Sequence, residues 1–232
     1  IHFARAEVQD AVRDLNSALE LEPNDADALL LLSNCYLISG RPDAARVLIE
    51  RLVTLDPLTP LTRCMPAYVS IVEGDFAAAI DPYRQMFEMD PGNPMTRLFY
   101  IWVLLLNRQR DLIPEIVKSF PDEIRHTAPA RIALFLGETV NESSSALLPV
   151  FSAEMEAAIG QTDVLARMLA SAYARAGATD QAMRWLERAV ECGFINYPFL
   201  SRIDPTLENL RREPQFDRLM QVVRDRWVQF ET

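Results

Sequence analysis

Few side chains in this sequence are of types that could do chemistry, and their spacing argues against it. His2 and His126 are the two histidines. Neither has a Cys, Asp or His at a spacing that would close a metal site or orient a general base. Cys35, Cys64 and Cys192 are odd in number and none lies in a CxxC pair, which disfavours both a disulfide framework and a zinc site. Nothing near Cys64 promises the depressed pKa of a reactive thiol. Ser143-Ser144-Ser145 lacks the Gly-x-Ser-x-Gly setting of a nucleophile elbow and reads as a helix start. Glu154, Glu156 and Asp163 are carboxylates of the kind used in acid–base work. In a chain of net charge -10, however, a solvated acidic face is the better reading. The seven glycines fall at turns and form no phosphate-binding loop, and the protein-kinase signatures are missing. No catalytic residue, metal ligand or cofactor site is assigned, and the chain is expected not to be an enzyme.

The elements that remain are apolar. Leu98-Phe-Tyr-Ile-Trp-Val-Leu-Leu-Leu106 is an unbroken apolar run closed by Asn107 and Arg108. It is too short to cross a bilayer, which takes about 20 residues, so it must be covered by protein on every side it buries. The acidic charge argues against direct binding of nucleic acid and against adsorption to acidic membranes. Unpaired cysteines fit a reducing, cytoplasmic compartment. The sequence opens on Ile1-His2-Phe3 without an initiator Met, which suggests a fragment that begins inside a helix.

One period organises these elements. Pro23, Pro57 and Pro91 are 34 residues apart, as are Ala11, Ala45 and Ala79, and Ala6, Gly40 and Gly74. Leu15, Ile49 and Tyr83 form another such column, with Ala18, Leu52 and Met86. Each unit reads as two helices. In one unit Asp27–Ser39 ends at Gly40, then a second helix starts at Pro42 or Asp43 and stops before Pro57, since proline cannot donate to a continuing helix. Small columns mark close helix approach and large columns fill the space between pairs.

This pattern resembles the tetratricopeptide repeat. Residues Ala26–Pro57 carry much of it in Leu29, Leu32, Ser33, Tyr36, Gly40, Ala45, Ile49, Leu52 and Pro57. It returns in Asp163–Phe194 as Leu169, Ala170, Tyr173, Gly177, Ala182, Leu186 and Ala189. The departures are local. Pro66 is expected to interrupt one first helix, and Arg108 and Ile113 stand where the turn Gly and the small Ala belong. The resemblance implies an all-α, right-handed α-solenoid. Repeats would span 1–127 with the first one truncated, a degenerate helix pair 128–162, and another repeat 163–194. In the degenerate pair Asn141 is the expected N-cap and Pro149 the break of the second helix. Residues 195–232 would then form a C-terminal capping segment. Phe216, Leu219, Met220, Val223, Trp227 and Phe230 recur there at helical spacing, as a helix covering the last open face of a solenoid would. The run from Gly193 through Phe216 also resembles the tail that closes such arrays in bacterial multidomain signalling proteins with a Ser/Thr kinase or winged-helix regulator.

The family resemblance implies function through the concave face, which the first helix of each pair lines. The positions it implies are Leu30, Asn34, Leu37 and Ile38, then Cys64, Tyr68 and Ile71, then Leu98, Trp102 and Leu105. Leu61 and Met95 are also implied, as are Val164, Arg167 and Arg175 in the last repeat. A Lys/Asn clamp for a peptide's terminal carboxylate is disfavoured, because only Asn34 matches and Leu30 stands at the Lys position. The face is apolar through its middle. The expectation is a non-catalytic protein–protein interaction module holding an apolar or amphipathic partner segment, as the regulatory part of a larger bacterial signalling protein. The alternative is a structural or oligomerisation domain whose groove is filled by its own chain, through 121–160 or Phe216–Phe230, or by a second copy in a homodimer.

In a linear array each pair is held only by its neighbours, so a poorly patterned pair opens locally. Amide hydrogens in 108–160 are therefore expected to exchange faster than those in 26–90. Uniform protection along the array, measured by hydrogen exchange with mass spectrometry, would contradict this.

Overall fold

A computed structural model of the chain describes residues 8–140 and 148–230. Among them lie twelve α-helices and no strand. Helix α1 (Val8–Leu21) precedes five pairs. These are α2 (Ala26–Ile38) with α3 (Pro42–Leu55), α4 (Pro60–Glu73) with α5 (Ile80–Met89), and α6 (Pro94–Leu106) with α7 (Ile113–Lys118). They continue as α8 (Ala128–Glu138) with α9 (Ala153–Ile159), and α10 (Asp163–Arg175) with α11 (Thr179–Glu191). A π-helical turn (Phe199–Ile203), two 3₁₀ turns (Pro205–Leu207 and Leu210–Arg212) and α12 (Pro214–Gln229) complete the chain.

Local chemistry sets these boundaries. The Asp25 carboxylate accepts from the Ala28 amide at 3.0 Å and opens α2. Asn93, Ser152 and Thr162 do the same for α6, α9 and α10, each satisfying an amide that has no partner inside the helix. Proline occupies the first turn of α3, α4, α6 and α12, where its missing N–H costs nothing. Ala45, Ala79 and Ala182 are fully buried between helices, with Ile49, Leu52, Tyr83 and Met86 filling the layer beside them.

Several expectations need correction. Pro66 lies inside α4 without ending it, and the helix carries the proline on its exposed side. In the degenerate pair, Asn141 and the three serines fall outside the described residues. Pro149 is followed by irregular backbone, and α9 starts afresh at its Ser152 cap. The α6–α7 unit accommodates its two anomalous residues differently. Ile113 is fully buried, while α7 is cut to six residues. Arg108 holds the left-handed backbone conformation at φ 58° that Gly40, Gly74 and Gly177 hold at the equivalent turns. A non-glycine residue there carries strain on the order of 1 kcal/mol.

The last forty residues do more than cap an end. Helix α12 does pack on α11, with Arg226 donating to the Val190 carbonyl. Phe194–Arg212, however, runs over the concave face back to the first pair. The Ile195 amide donates to the Ile38 carbonyl at 2.9 Å, and Asn196 Nδ2 to the Leu37 carbonyl at 3.0 Å. The π-helical turn meets α4, and Pro205–Leu207 meets α6 and α10. Phe194, Phe199, Leu200, Leu207 and Leu210 are all buried in this seam, a gain on the order of 10 kcal/mol against the exposed state. Among the described residues, the segment laid over part of this face is 194–212, and not 121–160 or Phe216–Phe230. Farther on, Arg41 of the α2–α3 turn donates to the carbonyls of Trp227 and Phe230 at 2.6 and 3.1 Å and lies over both rings.

Gly40 sits at the centre of this closure. Its φ is 68°, and a Cβ there would come within 2.8 Å of Trp227 Nε1 and 3.0 Å of Asn196 Oδ1. Gly40→Ala is expected to cost about 2 kcal/mol from backbone strain and displaced tail contacts, lowering the thermal midpoint by several degrees. Gly92→Ala is the control, since nothing stands within 4 Å of its added methyl. Equal midpoints for the two variants in a calorimetric scan would remove Gly40 from the closure.

Candidate functional site

The tail divides the concave face along the length of its helices. It covers the carboxyl ends of α2 and α4, and meets α6 and α10. Side chains from the first three turns of α2, α4, α6 and α10 surround a cavity of about 510 Å³. Leu30, Leu31 and Asn34 line it from α2, and Leu61, Cys64, Met65 and Tyr68 from α4. Met95, Phe99 and Trp102 contribute from α6, and Val164 and Arg167 from α10. The first and last pairs therefore face one another across the same space.

The expected groove residues sort by this division. Leu30, Asn34, Cys64, Tyr68 and Trp102 line the cavity. Leu37, Ile38, Ile71, Leu98 and Leu105 do not, and all five are buried. Leu37 and Ile38 lie at the helix end bonded to the tail, and Ile71 lies near the end of α4, which meets the π-helical turn. Leu105 faces Pro205 and Thr206 across a second, polar cavity. Leu98 is enclosed by the helix packing around α6. As groove residues these five are corrected to core. Trp102 needs a correction too. It is 1% exposed and forms the wall of the cavity under the guanidinium of Arg167, 4.6 Å from its ring centroid. The apolar run Leu98–Leu106 is thus covered by the chain itself, with only the Trp102 side of α6 and its neighbours Met95 and Phe99 left against the opening.

The floor of the cavity is polar and buried. Arg167 is 1% exposed and packed against Trp102, Phe194 and Phe199. Two buried carboxylates act on it through space. Burial pushes Asp163 up to about 6 with Arg167 opposing, and it also raises Asp204, where the Thr206 hydrogen bonds and Arg167 oppose. Asp204 Oδ1 accepts from the Thr206 amide and hydroxyl, and that hydroxyl reaches Ser171 at 2.9 Å. Burial pushes the Tyr68 phenol up to about 12, and Arg167 opposes part of this. The thiols are poor nucleophiles at neutral pH, because burial raises Cys35 to about 12 and Cys64 to about 11. Among the described residues no group of three or more His, Cys, Asp or Glu is placed to hold a metal.

The tail residues of this floor had no signal in the repeat pattern. Phe194, Phe199 and Asp204 lie outside the repeated columns, and only their apolar and Asp-Pro character hinted at burial. Arg167 was legible as a groove position, yet its role as a buried cation depends on the tail that encloses it.

Asp163 gives the floor a pH signature. Its folded pKa is raised above the value near 3.8 of an exposed carboxyl, so the stability it contributes is full below pH 4 and is lost as pH rises through about 6. The loss is at most about 3 kcal/mol. Asp163→Asn is expected to flatten the fall in urea midpoint between pH 4 and 6.5. A variant that follows the parent's pH profile would show that Asp163 does not titrate in this window.

Comparison with known proteins agrees with this architecture. Residues 2–61 match the family model described as tetratricopeptide repeat. A stretch of 126 residues is 31% identical to the cellulose synthase operon protein C of Pseudomonas fluorescens (strain SBW25). The match takes in 49% of this chain and 10% of that protein, so the chain spans about a tenth of the relative's length. The helix pairs at a 34-residue period and the match over residues 2–61 agree in making this chain similar to tetratricopeptide-repeat proteins.

Proposed function

We propose that the open half of the concave face docks an apolar or amphipathic segment of a partner protein. Tetratricopeptide repeats are protein–protein interaction modules. Among the described residues no helix is long and apolar enough to cross a membrane. The observation that carries the finer reading is the continuity between cavity and surface. The cavity wall is built of leucine, methionine and aromatic side chains, and two members of it, Leu31 and Leu61, are also 43% and 44% exposed at the rim. An apolar wall that runs out onto an apolar rim is costly to leave in water, at roughly 25 cal/mol per Å². An inserted partner side chain removes that cost. The carboxyl-end half of the face serves structure, since the chain's own tail occupies it. The likeness of half the chain to a bacterial cellulose synthase operon protein supports a bacterial setting. The tail resemblance supports a regulatory place within a larger signalling protein.

Selection from a phage-displayed random peptide library tests this reading. The Leu31→Asp/Leu61→Asp double variant changes only rim side chains and is expected to keep its helical content and thermal midpoint. Selected peptides are expected to bind it at least tenfold more weakly than the parent chain. Undiminished binding of every selected peptide would place docking elsewhere on the protein.

A further inference from the structure

The wall of the open cavity is short of free hydrogen-bonding groups. Cys64 donates to the Pro82 carbonyl. Thr96 donates to the carbonyls of Asp90 and Asn93, and the Asn93 side chain caps α6 and donates to the Asp90 carboxylate. The floor atoms Tyr68 Oη and Trp102 Nε1, with Nε and Nη1 of Arg167, have lost their accessible surface and lie out of reach of a chain laid across the opening. Asn34 of α2 is half-buried in the wall, and Thr59 stands exposed at its outer edge. A segment that entered extended would set its amides and carbonyls against leucine, methionine and aromatic side chains, with Asn34 and Thr59 to meet them. Burying peptide groups unmet is costly. A helix satisfies its own backbone and offers side chains alone. A space of about 510 Å³ also admits more than one large side chain, as successive anchors on one helix face supply.

The edge of the opening carries charge of one sign. Asp27 is exposed on α2 one turn before Leu30 and Leu31, on the face they share with Asn34. Asp90 belongs to the cavity lining, and Asp56 accepts from the amide of Thr59 in that lining. None of the three meets a cation among the described residues, since Asp56 is bonded to Thr59 and Thr62, and Asp90 to Asn93. The exposed cations of α3 and α4 at this end, Arg51 and Arg63, are bonded to Asn24 and Gln85.

We infer that the occupant of the open half is a basic amphipathic helix. Its apolar residues, three and four apart, fill the cavity, and Lys or Arg beside them face Asp27, Asp56 and Asp90. The inference rests on the docking reading above and adds the conformation and charge of the docked segment. Apolar contact supplies most of the affinity. The charges steer the helix and fix its register, and being exposed they are screened by salt.

Peptides selected on the full chain are expected to place large apolar residues three and four apart with Lys or Arg among them. Their amidated synthetic forms are expected to gain helical circular dichroism on binding. By calorimetry, proline at a central outward-facing position is expected to cost tenfold or more where alanine costs little. Lys→Gln in the peptide, raising salt from about 50 to about 500 mM, and Asp27→Asn/Asp90→Asn in the protein are each expected to weaken binding severalfold. The Asp27→Asn/Asp90→Asn variant keeps the parent's thermal midpoint and does not weaken the Lys→Gln peptide further. Asn34→Leu leaves binding unchanged. Peptides with anchors at every second residue that lose affinity in Asn34→Leu overturn the helix. Affinity indifferent to salt and to Asp27→Asn/Asp90→Asn overturns the basic partner. Either result with sensitivity to Leu31→Asp/Leu61→Asp retained sinks this inference alone, whereas peptides insensitive to that variant sink the docking reading itself.

Discussion

Every α-helix ends with carbonyl groups that no turn of its own can satisfy, and the way this protein meets that constraint decides its shape. The last carbonyls of α2 are taken by the amide of Ile195 and the side-chain amide of Asn196. Those of α12 are taken by Arg41, that of Val190 in α11 by Arg226, and that of Ile116 in α7 by Arg97. In each case the donor comes from another element, so closing a helix end also fixes a tertiary contact. The tail's donors to α2 hold it across the concave face. The hydrophobic seam of Phe194, Phe199 and Leu200 then follows from that route.

The crossing explains why half the concave face is core and half is open. Repeated side chains build a uniform apolar strip along the first helices. A non-repeated segment laid over one edge of that strip makes the two edges unequal. The covered edge becomes indistinguishable from the interior, with Leu37, Ile38 and Ile71 fully enclosed. The uncovered edge keeps its apolar wall and gains a polar floor, where the tail traps Arg167 among aromatic rings. Site and scaffold are thus products of one packing choice.

The repeat architecture was legible in the sequence because it rests on local and periodic signals. Prolines at 34-residue spacing, alanine columns and glycine turns each report a steric demand that recurs in every pair. Helix ends followed the caps, and Pro214 opens the final helix as its position suggests. The candidate site was only half legible. Leu30, Asn34, Cys64, Tyr68 and Trp102 line the cavity. Leu37 and Ile38, one turn farther along α2, follow the same pattern and are buried, because the segment covering them lies some 160 residues away and bears no repeat. Pro66 misled for a related reason: a proline on the exposed side of a helix packed along its other face need not end it.

The contact between Arg41 and the carbonyls of Trp227 and Phe230 joins residues 186 and 189 positions apart. Arrays of helix pairs ordinarily assemble from neighbour contacts, which form fast and in any order. Here the first pair cannot reach its final environment until the tail has been synthesised. During translation α2 and α4 emerge with the strip that Phe194–Arg212 will cover still bare, and it stays bare while most of the chain is made. The nascent protein is therefore exposed to misassociation at its amino-terminal half for longer than its helical content suggests. A chain cut short near its end loses order first at residues far from the cut.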